Sequence, residues 1–129
     1  TYYNLWNATT GSFALIIQGS NTFNDFKIDA GREMNFTTGT TQTVSTFTAT
    51  GTPGNEIVID STTTGTHALV KTGGGQISCD YMNIQHSVAT PSNTWYAGNN
   101  STNNQATATA GSGWMFMPPV DTSQFFNLF

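Results

Sequence analysis

Basic residues are nearly missing from this chain. Lys and Arg together number 3 in 129 residues, and charged residues of both signs make up 8%. A surface so poor in cations cannot neutralise many phosphates, which argues against nucleic-acid binding. Anionic membrane surfaces are disfavoured for the same reason. Cys79 is the single cysteine. It excludes an intrachain disulfide and a Cys-rich metal site. Long apolar runs are also missing, so no stretch reads as a membrane-spanning helix. Thr1 is not an initiator Met, and the first residues do not resemble a signal peptide. A processed product, or the ordered part of a longer chain, is expected.

What is present points to a folded β domain. The chain is 36% hydrophobic and 12% aromatic with a net charge of only -4, the opposite of a disordered composition. Its length suits one domain, residues 1–129, with a sizeable core. Thr, Ser, Asn and Gln must supply most of the polar surface, and Thr suits a half-buried pleated face.

Between Phe23 and Ile84 six short apolar runs follow one another, most of them closed by Gly or a small polar cluster. Phe26 and Ile28 alternate with polar residues, as do Met34 and Phe36. Val44, Phe47 and Ala49 lie in a Thr-rich run, followed by Ile57–Ile59, Ala68–Val70 and Ile77–Ile84. None has helical spacing, and each is strand length. Related positions recur every 20 to 22 residues, with Phe26, Phe47 and Leu69 in one series and Phe36, Ile57 and Ile77 in another. Such a recurrence predicts stacked coils: an all-β, short parallel β-solenoid. An antiparallel β-sandwich or jelly roll fits the same strand spacing.

Residues 1–22 read as N-terminal docking strands, with Ser12–Gln18 expected to be buried, and residues 23–87 as the strand ladder. Residues 88–117 read as a loop and closing strand, and residues 118–129 as an apolar tail that must dock on something else.

Several segments resemble a repeat found in phage and bacterial surface proteins. Gly19–Ile28 (GSNTFNDFKI) is similar to the repeat's opening strand, and Asn35–Thr41 (NFTTGTT) and Phe47–Gly51 (FTATG) to two of its coils. Cys79–Ser87 (CDYMNIQHS) and Thr94–Thr102 (TWYAGNNST), followed by Gly113-Trp114, are similar to its last strands. The match spans roughly residues 19 to 116 and departs at Gln105–Gly111, where the family has a shorter turn. The resemblance implies a β-solenoid in a virion fibre, tail or surface protein, without established catalytic residues.

Candidate chemistry is sparse. Solenoid glycosidases and lyases pair acids on adjacent coils, roughly 5 to 10 Å apart. Asp29 with Asp60, or Asp60 with Asp80, are the pairs to consider, but solvated turn acids are the simpler account. His67 and His86 fall in no metal-ligand motif and read as structural surface residues. Cys79 shares a strand face with Ile77 and reads as a small buried side chain. Gly73–Gly75 reads as a corner where chains pass closely. Trp95, Tyr96 and Trp114 are the candidates for stacking on glycans, against the alternative that they cap the solenoid.

The resulting expectation is a structural, non-enzymatic protein with no cofactor and no metal, located in a virion or at a cell surface. It acts by oligomeric assembly with copies of itself or with other fibre subunits. Its assembly residues are Tyr2, Tyr3 and Trp6 at one end and Phe125, Phe126 and Phe129 at the other. A carbohydrate-binding adhesin is the first alternative, and a glycan-degrading enzyme the second.

Overall fold

The computed structural model describes residues 2–8, 13–104 and 112–119. They form an all-parallel β-solenoid of about 5 turns, with no helix among them. The sandwich alternative is thereby set aside, because neighbouring strands run in the same direction in every ladder.

Three sheets form three faces. The first is ordered β1-β3-β5-β7-β10 and comprises β1 (Tyr2–Asn7), β3 (Asn21–Ile28), β5 (Thr41–Ala49), β7 (His67–Lys71) and β10 (Ser87–Thr90). The second is ordered β13-β11-β8, from β13 (Trp114–Met115), β11 (Trp95–Tyr96) and β8 (Ile77–Ser78). The third is ordered β12-β9-β6-β4-β2, from β12 (Thr102–Asn103), β9 (Met82–Ile84), β6 (Ile57–Ser61), β4 (Glu33–Phe36) and β2 (Leu15–Ile17). β5 is long enough to serve two faces. Its first residues pair with β7, while Thr50, just beyond it, bridges Asp80 after β8.

Alternation in the sequence sets which side chains enter the core. In β6, Ile57, Ile59 and Ser61 are buried and Val58 and Asp60 are half-buried, the period-2 pattern of a pleated strand. Stacked coils then place inward residues in columns. Leu15, Met34, Ile59 and Ile84 form an apolar column on the third face. An aromatic spine crosses the coils beside it. Phe23 meets Phe26 edge-on at 4.9 Å, and Phe26 stacks on Phe47 at 5.4 Å. Phe47 meets Trp95 at 5.2 Å, and Trp95 meets Trp114 at 5.1 Å. These separations lie in the favourable range for ring pairs.

The register differs in part from the recurrence in the sequence. Phe26 does lie against Phe47, but Leu69 registers with Gln42. Phe36 registers with Ser61, Ile57 with Met82 and Ile77 with Trp95. Coil length is the reason: 19 residues separate Leu15 from Met34, whereas 27 separate Gln42 from Leu69. The connections at residues 50–56 and 62–66 lengthen the third coil, and later coils are shorter again, with 20 residues from His67 to Ser87 and 18 from Ile77 to Trp95. Gln42 is fully buried and internally satisfied. It donates to the Gly19 carbonyl at 2.7 Å and accepts from Asn21 Nδ2 at 3.1 Å.

The coil stack also continues past Ser87. β10 pairs with β7 through Ser87, Val88, Ala89 and Thr90, a segment without a large apolar residue to announce it. Gly73–Gly75 is a further correction. All three residues have positive φ, and no backbone lies near their missing Cβ positions. They are glycines for their left-handed conformation, not for close approach. Lys71 Nζ closes this loop by donating to the Thr72 and Gly74 carbonyls.

Candidate functional sites: the open first coil and an internal histidine corner

The first coil ends the stack among the described residues. β1 is the edge of the first sheet and β2 the edge of the third, so one coil presents two strand edges that pair with nothing further among the described residues. Its core-facing residues are correspondingly less buried than those they stack on. Tyr3 registers with Phe23, yet Tyr3 is 56% exposed and Phe23 only 5%. Leu5, Leu15 and Ile17 are half-buried, while their partners Phe26, Met34 and Phe36 are buried. Among the described residues, four of the five exposed large apolar side chains, Tyr3, Trp6, Phe13 and Ile16, lie in this coil.

The expected assembly residues thus divide. Tyr3 follows the core column, whereas Trp6 lies on the outward side, in the column of Lys27 and Thr48. Tyr2 opens β1. Phe125, Phe126 and Phe129 lie outside the described residues. Sequence reasoning missed Phe13 and Ile16, because Ser12–Gln18 resembles a buried strand. Its β2 portion is an edge strand, and an edge position depends on which coils lie next to it.

Trp95, Tyr96 and Trp114 are buried, with Trp95 fully so. Trp95 and Trp114 pack on each other and on Phe47. Their indole nitrogens are also occupied: Trp95 Nε1 donates to the Thr90 carbonyl at 2.8 Å, and Trp114 Nε1 to Ser87 Oγ at 3.0 Å. Neither ring offers a face to a glycan in this arrangement.

The histidines meet at one corner. His67 is 1% exposed, so it is a core residue and not the surface group the sequence led one to expect. It shares the strand parity of Leu69, a signal that pointed inward all along. The His67 amide donates to the His86 carbonyl at 3.0 Å. Ser61 Oγ lies 3.1 Å from that same carbonyl and 2.7 Å from His67 Nδ1. A carbonyl can only accept, so the Ser61 hydroxyl donates to it and accepts from His67 Nδ1–H. The Nε2 of His67 is then an unprotonated acceptor, buried without a hydrogen-bond partner among the described residues.

Burial pushes the His67 pKa down to about 4; the Asp60 charge opposes the shift and His86 adds to it. Asp60 points the other way, pairing with His86 Nδ1 at 2.7 Å and accepting from the Ser61 amide at 2.7 Å. Serine, histidine and aspartate are thus neighbours in two separate pairs. The hydroxyl nearest a histidine is buried in the core, and the carboxylate serves the other histidine.

The acid pairs considered from the sequence are not assembled. Asp29 and Asp80 belong to one corner: Asp29 follows Ile28, Ile28 registers with Ala49, and the next residue, Thr50, bridges Asp80. Asp60 is on the third face, in register with Asn35. Each carboxylate has its own neutral or histidine partner. Asp29 accepts from Trp6 Nε1 at 2.8 Å, and Asp80 accepts from the Tyr81 amide and from the Asn100 backbone and side chain. Among the described residues, no group of three His, Cys, Asp or Glu side chains converges as a metal site would require. Cys79 is buried beside Ile77's face as its alternation indicated, and burial pushes its thiol up to about 12.

Set against known proteins, the chain matches no family model, no curated protein and no solved structure, so its own geometry carries the functional argument.

Proposed function

We propose that this domain is a structural assembly module of an extracellular fibre or virion appendage, and that it works by stacking. The observation that carries the proposal is the first coil, where two strand edges and a part-exposed row of core residues coincide. Unpaired edges are templates for strand addition. A further parallel coil, from a second copy or a neighbouring subunit, would continue both sheets and cover Tyr3, Leu5, Leu15 and Ile17 together. The virion or surface setting rests on the resemblance of the strand and turn segments. A weakly charged surface rich in Thr and Asn agrees with it.

Light scattering after size exclusion, over a wide concentration range, tests the stacking. Association that rises with concentration is expected, and it should be lost in Leu15→Glu with the far-ultraviolet spectrum unchanged. Leu15 is half-buried at the edge, so a carboxylate there can reach water in the free chain but not under another coil. A chain that stays monomeric at millimolar concentration would overturn the proposal.

A further inference from the structure

A second surface lies at right angles to the stacking direction, on the outer side of the first three coils. Asn4 and Trp6 of β1 register with Asp25 and Lys27 of β3, which register in turn with Thr46 and Thr48 of β5. All six side chains are exposed. They form a grid of two columns and three rungs, with rungs about 4.8 Å apart and columns about 6.6 Å apart. The grid is internally braced. Asn4 Oδ1 accepts from Asn24 Nδ2 at 3.4 Å and from the Asp25 amide at 3.3 Å, and the Thr46 hydroxyl donates to Asp25.

Trp6 is fixed at two points and still open. Its Nε1 donates to Asp29 Oδ1 at 2.8 Å, and Lys27 Nζ sits 4.6 Å from its ring centroid. It is nevertheless 63% exposed. An indole held in one orientation loses little freedom on binding a ligand. Around it stand an amide, two carboxylates, an ammonium and two hydroxyls, and no second apolar side chain on the grid.

From this arrangement we infer that the outer face of the first three coils, centred on Trp6, is a saccharide-binding surface for neutral sugars. A pyranose ring carries one apolar C–H face, which suits a fixed indole, and a rim of hydroxyls, which suits closely spaced donors and acceptors. A protein partner would look for a larger apolar centre than one tryptophan. Asp25 and Asp29 outnumber Lys27, so acidic sugars are disfavoured. Stacking on the first coil leaves this face uncovered, and the two roles do not compete.

Tryptophan fluorescence provides a direct test, because Trp95 is fully buried and Trp114 is only 6% exposed, leaving Trp6 as the exposed one of the three. The intact chain is titrated with neutral hexose and N-acetylhexosamine oligosaccharides, and with uronic-acid oligosaccharides as the acidic arm. Neutral sugars are expected to shift the emission to the blue and to protect it from acrylamide. Trp6→Ala should weaken binding, read by calorimetry, about tenfold or more with the melting temperature little changed. Trp6→Phe, which keeps an aromatic face, should lose less affinity while abolishing the fluorescence response. Any of three results overturns the inference: no binding across the neutral panel, selective binding of the acidic arm, or equal affinity in Trp6→Ala. Acrylamide protection that grows with protein concentration alone would also overturn it, by showing that this face is buried between copies.

Discussion

Acid should loosen this fold through one residue, His67. The imidazole is buried in the core with its Nε2 unpartnered and its Nδ1–H given to Ser61. Protonating Nε2 would place a cationic donor among apolar side chains, against Phe36 at 4.7 Å, with no acceptor to receive it. The unfolded chain binds that proton with an ordinary pKa of 6.5, and the folded chain only near 4. The folded state therefore holds fewer protons at every pH between them. Its stability is complete above the unfolded value, declines as pH falls through 6.5, and has lost the full contribution below 4. The total is about 3 kcal/mol, of which about 2 kcal/mol is gone at pH 5.

Urea unfolding at pH 7.5 and pH 5 measures this, in the wild type and in His67→Gln. Asp60 and His86 flank the corner in both proteins. Their contributions largely cancel in the difference. The wild type is expected to lose about 2 kcal/mol more than the variant between the two pH values. Equal losses would refute the reasoning, since a His67 open to solvent on either ring nitrogen would not resist protonation.

Two other positions give sharp expectations. Gly113 has φ +84°, and a Cβ there would run into the Ala89 carbonyl oxygen. Gly113→Ala is expected to cost about 1–3 kcal/mol in urea unfolding and to red-shift Trp114 emission as β13 leaves β11. Cys79, buried and with its thiol held near 12, should react with a disulfide reagent at pH 8 only as fast as the chain opens. Immediate labelling of the native protein would contradict its placement.

The strands themselves were legible, because a period of two needs only local alternation. Phe26 and Ile28, Ile57 and Ile59, and Cys79 beside Ile77 are all buried where alternation puts them. Stacking was legible from recurrence, and it correctly placed Phe26 against Phe47. Register beyond that pair was not, since it depends on connection length. The chain does not state how far a turn such as residues 62–66 stands out from the coil. Aromaticity likewise announced Trp95, Trp114 and Trp6 equally. Only packing buried the first two in the spine and left the third on the outer face.

The amino-acid sequence by itself determined an all-β chain of stacked coils with a weakly charged surface, because side-chain period and composition are properties of each segment alone. Tertiary structure decided which residues meet: His67 with Ser61 beneath a carbonyl, Asp60 with His86, and Asn4, Trp6, Asp25 and Lys27 on one outer face. These are contacts between residues some 6 to 26 positions apart. They exist only once the coils have closed and their lengths have set the register.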